Sequence, residues 1–244
     1  MCFDSRCDGT STLKPMVDVL APSEGWGVLH LFCKVHPGVD AEAVTSAVKT
    51  ATDGGDHQVV PVAMLGHKAD LGFLAVGPDL WRLRALQTDL QAAGLEVVDS
   101  YVSLTEVSEY SANVPEAQKT ARLFPVLPPE GKAAFCFYPM SKRRNVDQNW
   151  FALPFEERLE LMYEHGKSGR TFAGRITQLV TGSTGLDDFE WGVTLFGVHP
   201  DDLKDCVYTM RYDQASTHYA EFGTFYTGMI AELPEVLRRV GVSA

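Results

Sequence analysis

Residues 57–76 read HQVVPVAMLGHKADLGFLAV. Two short apolar runs, His57 to Leu65 and Leu71 to Val76, stand on either side of the turn-like segment Gly66-His67-Lys68-Ala69-Asp70. Runs of that length, rich in Val and Leu and broken by a Gly/Lys/Asp turn, predict a pair of consecutive strands. What flanks the pair decides the fold. Upstream, Gly25 to Val35 (GWGVLHLFCKV) reads as a buried strand, and Asp40 to Thr50 sets Ala41, Val44 and Val48 at helical spacing. Downstream, Pro78 to Ala93 puts Leu80, Leu83, Leu86 and Leu90 on one stripe, with Gly94 as the stop, and Val97 to Val107 supplies a fourth strand. The order is β-α-β-β-α-β, the split arrangement of a ferredoxin-like domain.

The order then recurs. Lys132 to Met140, Arg170 to Val180, Phe189 to Val198 and Thr224 to Ala231 read as strands. Pro154 to His165 and Pro200 to Met210 read as helices, with a short helical segment over Asp213 to Phe222 and a last one over Leu233 to Val240. The expected fold class is α+β: two ferredoxin-like β-α-β-β-α-β halves packed as an α+β barrel, of the dimeric α+β barrel type. The expected divisions are a flexible tail over 1–22, a first half over 23–107, a connector over 108–131 and a second half over 132–244. Pro125, Pro128 and Pro129 exclude a regular helix from the later part of that connector. The repeat is one of element order only; polar and aromatic residues are dense in the second half alone.

With 244 residues, 45% hydrophobic and 22% charged, the chain has the composition of an ordinary globular protein. Its net charge of −11 argues against a general nucleic-acid or anionic-membrane binder. Lys142, Arg143, Arg144, Lys167, Arg170 and Arg175 form a local basic excess, open to two readings: a pocket for an anionic ligand or a solvated face. The five cysteines, Cys2, Cys7, Cys33, Cys136 and Cys206, lack zinc-site or CxxC spacing. No stretch is apolar enough to insert into a bilayer, and no secretory signal opens the chain, so the expected location is cytoplasmic.

Chemistry concentrates between Phe137 and Gly169. On a strand, Ala134, Cys136, Tyr138, Met140 and Lys142 share one face, which sets an oxidisable phenol beside a cation. On the next strand Phe172, Gly174, Ile176, Gln178 and Val180 share a face, leaving Gln178 as one amide among apolar neighbours. A buried amide needs a partner, since an unpaired one costs about 1–3 kcal/mol. His165 lies three and four residues after Met162 and Leu161, on the buried stripe of its helix, which Gly166 is expected to end. A single imidazole there is open to two readings, a satisfied core residue or an axial haem ligand that needs no protein co-ligands. GxGxxG, P-loop, GxSxG and HExxH motifs are absent.

The motifs FYPMSKRR, NWF, HGKSGR, GSTGLDDFEWGVTLF, VYTMRYDQAS and YAEFGTFYTG resemble the chlorite dismutase-like haem family, most closely its coproheme decarboxylase branch. The resemblance is strong over Arg122 to Gly228 and weaker before it. It implies an enzyme that converts Fe-coproporphyrin III to haem b with hydrogen peroxide, two propionates becoming vinyls through a three-propionate intermediate. It also implies assembly of a homopentamer; the acidic charge and the lack of a spanning stretch already lead us to expect neither nucleic-acid partners nor membrane insertion. His165 matches the iron ligand, Tyr138 the residue that becomes a radical, and Lys142 a lysine beside the reacting propionate. Arg122, Met140, Arg211 and Ser216 match propionate contacts, and Gln178 matches a distal glutamine. Chlorite dismutases carry an arginine where Gln178 stands. Alternatives within the resemblance are chlorite dismutation, a general haem peroxidase, or haem binding without catalysis.

Overall fold

The computed structural model describes residues 18–111 and 114–242; Cys2 and Cys7 lie outside them. The first half runs β1 (Gly27–Lys34), α1 (Ala41–Thr52), β2 (Gln58–Leu65), β3 (Leu71–Gly77), α2 (Leu80–Ala92) and β4 (Glu96–Thr105). After α3 (Glu116–Leu123), the second half runs β5 (Ala134–Lys142), α4 (Phe155–Arg170), β6 (Ile176–Gly182), β7 (Trp191–Gly197) and α5 (Pro200–Met210). It closes with α6 (Gln214–Tyr219), β8 (Ala220–Phe222), β9 (Tyr226–Ile230) and α7 (Leu233–Arg239).

Asp40 and Asp79 cap α1 and α2, accepting from Ala43 N and Trp81 N at 3.0 Å each. Gly94, at φ +95°, ends α2 in the left-handed turn that its position in the sequence predicts. Each half lays its four strands in ferredoxin order, β4-β1-β3-β2 in the first and β6-β7-β5-β9 in the second. Two seams join them. β2 pairs with β9 from Val62↔Ile230 to Leu65↔Thr227, and β4 pairs with β6 through Leu104↔Gly182 and Thr105↔Thr181. The ring is closed and every pairing in it is antiparallel, with β8 extending the edge of β5 beyond β9. The two-halved α+β barrel is therefore the fold.

Three apolar clusters follow from the closure. Inward-facing Phe32, Leu74, Phe135, Phe137, Phe196 and Tyr226 fill the barrel. Leu31, Leu71 and Phe73 face outward and are covered by α1, α2 and α7. On the outer face of the second half, Ala134, Cys136, Tyr138, Val193 and Leu195 meet Leu203 of α5, and this cluster is the smallest.

Three boundaries differ from expectation. The helical segment expected over Asp213 to Phe222 ends at Tyr219, because Ala220–Phe222 pairs with the end of β5 as strand β8. α4 does not stop at Gly166 but runs on to Arg170; Gly174, at φ +84°, supplies the left-handed turn, so β6 starts at Ile176 rather than Arg170. An interior glycine costs a helix only about 1 kcal/mol, and packing of α4 on α5 and α6 outweighs it. Phe172 and Gly174 thus share no strand face with Gln178. The connector also holds a helix the sequence pattern did not single out: α3 buries only Leu123, too little to leave a periodic stripe.

Candidate functional site

The thin third cluster borders a cavity of about 540 Å³ between the outer face of β5, β6 and β7 and helices α4 to α6. Its volume lies in the range of small-molecule sites. All eight residues singled out from the sequence line it: Arg122, Tyr138, Met140 and Lys142 with His165, Gln178, Arg211 and Ser216. Strand alternation brings three of them together on β5, while its inward neighbours Phe135 and Phe137 go to the barrel core.

Tyr138 is buried, stacked on Phe225 (ring centroids 4.5 Å) and edge-on to Phe222 (5.6 Å). Burial pushes its phenol above the ordinary tyrosine range, so the O–H stays protonated at neutral pH. Lys142, four residues on, is 7% exposed. Its Nζ donates to Ala215 O at 2.9 Å and sits 4.4 Å from the ring centroid of Trp150. Burial lowers its pKa to about 8, against the opposing pull of Asp213 and Glu190. Arg122 Nη1 donates to Ser111 Oγ at 2.7 Å, which fixes α3 at the cavity lip.

His165 contacts the cavity from α4. Its Nδ1 lies 2.8 Å from Asp213 Oδ2, with Ser216 Oγ at 3.5 Å, and Nε2 has no hydrogen-bond partner among the described residues. Asp213 is buried and also caps α6, accepting from Ser216 N at 2.8 Å. Burial works to raise the Asp213 carboxyl, but the His165 and Ser216 bonds together hold it below the usual carboxylate range. A carboxylate on one ring nitrogen orients the imidazole and makes the other nitrogen the better donor to a metal. Contrary to the buried stripe expected of α4, no residue of that helix is buried, and His165 stands partly exposed at the cavity wall.

Half of the basic excess in the sequence resolves into paired surface charge. Arg144 pairs with Glu190, Arg143 with Gln148 and Glu221, and Arg175 with Asp202 at 2.6 Å. Of that group only Lys142 lines the cavity; its other cations, Arg122 and Arg211, come from distant segments. Gln178 is not a buried amide. It is exposed to the cavity, and its Nε2 is 3.7 Å from both Cys206 Sγ and Met210 Sδ.

Sequence reasoning missed Asp213 and Trp150. Asp213 stands 48 residues from its histidine, and only its place as a cap before Gln-Ala-Ser marked it. Trp150 lay in plain view in NWF, but nothing local tied it to Lys142. Among the described residues no group of three or more His, Cys, Asp or Glu is arranged to hold a metal ion. An iron-porphyrin needs none: one oriented imidazole, largely apolar walls and three cations suited to carboxylates fit such a group.

Fold and cavity together define the class, a dimeric α+β barrel with a cavity on the outer face of its second half. The chain belongs to the chlorite dismutase family, whose model matches residues 40–231. It is 38% identical over 235 residues to the coproheme decarboxylase of Staphylococcus saprophyticus, covering 85% of this chain and 92% of that one. The coproheme decarboxylase of Staphylococcus carnosus is also 38% identical, over 87% of this chain and 93% of its own. Among solved structures, a heme-binding protein from Thermus thermophilus superposes with a TM-score of 0.80 at 33% identity, covering 89% and 96% of the two chains. Chlorite dismutase from Candidatus Nitrospira defluvii shares the fold, with a TM-score of 0.71 at 19% identity over 90% and 96% of the two chains. No helix among the described residues is long and apolar enough to cross a membrane.

Proposed function

We propose that the protein is a coproheme decarboxylase, an oxidoreductase that uses hydrogen peroxide to turn two propionates of Fe-coproporphyrin III into the vinyls of haem b. The carrying observation is the convergence of Tyr138, Lys142 and the Asp213-backed His165 on one cavity. For each propionate the balance is R–CH2CH2COOH + H2O2 → R–CH=CH2 + CO2 + 2 H2O. The substrate's own iron supplies the oxidising power when peroxide reacts with it.

The chain's residues divide the remaining work. His165, oriented by Asp213, holds the iron through Nε2. Arg122, Arg211 and Ser216 hold propionates, arginine being suited to bidentate carboxylate binding, and Met140 packs beside them. Tyr138 gives up an electron and its phenolic proton, then recovers a hydrogen atom from the propionate β-carbon. Loss of CO2, with the second electron passing like the first to the peroxide-oxidised iron of the substrate, completes the vinyl. Because burial keeps the phenol protonated, Tyr138 oxidation must release a proton. Lys142, on the same face of β5, pairs with the reacting carboxylate and passes that proton on. Cytoplasmic location and a pentameric assembly belong to the same reading.

Two features weigh against chlorite chemistry. Gln178, which the resemblance sets where chlorite dismutases carry an arginine, lines the cavity, and Arg175 is engaged by Asp202 outside it. A haem carrier would have no use for a redox phenol on one strand face with a buried lysine. The test adds ferric coproporphyrin III, titrates peroxide and follows product mass. Two successive losses of a carboxyl group are expected. Oxygen evolved from chlorite, or an unchanged porphyrin, would overturn the reading.

A further inference from the structure

Gln178 meets two sulfur atoms in the cavity wall. Its Nε2 lies 3.7 Å from Cys206 Sγ and 3.7 Å from Met210 Sδ, and the two sulfurs are themselves 3.7 Å apart, one helical turn from each other on α5. Cys206 is fully buried, and burial pushes its thiol pKa up, so it faces the amide as a neutral S–H.

The two sulfurs decide which way the amide points. A thioether has lone pairs and no hydrogen, so it accepts from an NH2 group and repels a carbonyl oxygen. With the NH2 turned toward α5, each of its hydrogens finds a sulfur, and the Cys206 S–H is free to donate to Met210 Sδ. With the amide reversed, Oε1 would accept from Cys206 alone, the thiol would lose its bond to Met210, and Oε1 would confront the Met210 lone pairs. Three weak contacts, individually small, act in one direction.

We infer that Cys206 and Met210 are positioning residues that hold the Gln178 NH2 group against α5, so that the cavity meets Gln178 through its carbonyl oxygen. The consequence rests on the decarboxylase reading. Gln178 then offers an incoming peroxide a hydrogen-bond acceptor for its O–H, and orients it without acting as a base.

Difference infrared spectroscopy of the ligand-free protein tests the inference independently of that reading. The Cys206 S–H stretch, identified by its loss in Cys206→Ser, is expected below the frequency of an unbonded thiol. It should rise in Met210→Leu, which removes the acceptor, and shift in Gln178→Leu, which removes the donor to Sγ. A band that stays in place in both variants overturns the inference. In protein saturated with ferric coproporphyrin III, the double variant Cys206→Val/Met210→Leu should react with peroxide about threefold more slowly, the scale of one weak hydrogen bond. An unaltered rate overturns the role assigned to the carbonyl. Wild-type protein that binds the porphyrin but consumes no peroxide would sink the decarboxylase reading and leave the infrared result standing.

Discussion

Tyr138 and Lys142 carry opposite consequences of the same burial. For the phenol, a medium poor in water keeps the proton on, and packing between Phe222 and Phe225 holds the ring. Phenylalanine keeps that packing and loses the O–H. Tyr138→Phe is therefore expected to bind ferric coproporphyrin III with wild-type affinity and to release almost no haem b, read by mass; substantial turnover would remove Tyr138 from the mechanism. For the lysine, burial disfavours the charged form, lowering its pKa from 10.5 to about 8. A lowered basic pKa means that the folded state loses its proton first, so the unfolded state binds more protons between pH 8 and 10.5, and stability rises with pH across that window. Measured against Lys142→Met, the ligand-free wild type should gain at most about 3 kcal/mol as the pH climbs through it. Parallel pH profiles for the two proteins would show that the ammonium is not buried in solution.

At the scale of elements, α4 and α6 form one unit through His165 and Asp213. The aspartate does two jobs, orienting the imidazole and capping α6, and substitutions separate them. Asparagine retains an oxygen for the cap but drops the negative charge behind the ring. Asp213→Asn should weaken iron-porphyrin binding about 10- to 100-fold while leaving thermal stability near wild type. Asp213→Ala should lose the cap as well, at about 1 kcal/mol. Equal affinities for wild type and Asp213→Asn in a porphyrin titration would show that the carboxylate does not tune the ligand. This pairing marks the limit of what the sequence conveys. Period-two alternation exposed the Tyr138-Met140-Lys142 face because β5 sends alternate residues into two different apolar environments. The stripe of α4 was less faithful: no residue of that helix is buried, and His165 stands partly exposed on the cavity wall rather than in a core. The end of α4 was not legible, because Gly166 carries a stop signal that helix packing overrides. Asp213 was not legible either, because its partner is close only after folding.

The whole molecule depends on closure of the barrel, since neither half alone covers the inward faces of its own strands. The β4–β6 seam pairs only two residues from each strand, so the β2–β9 seam bears most of the backbone bonding between the halves. Gly228 lies in that seam, opposite Met64 on one side and Phe135 on the other. A Cβ there would fall 2.5 Å from Ala63 O and 2.6 Å from Val62 Cγ1. The first of these is backbone, so no side-chain rotation relieves it; β9 would have to move away from β2, drawing on β5 and with it the strand that bears Tyr138. Gly228→Ala is accordingly expected to destabilise the protein by about 3 kcal/mol, measured by denaturant unfolding. If the seam makes the two halves one cooperative unit, the loss should lower a single midpoint, with unfolding still in one transition. Two separate transitions, the earlier one carrying the signal of the second half, would mean that each half is stable alone and that closure serves the site rather than the fold.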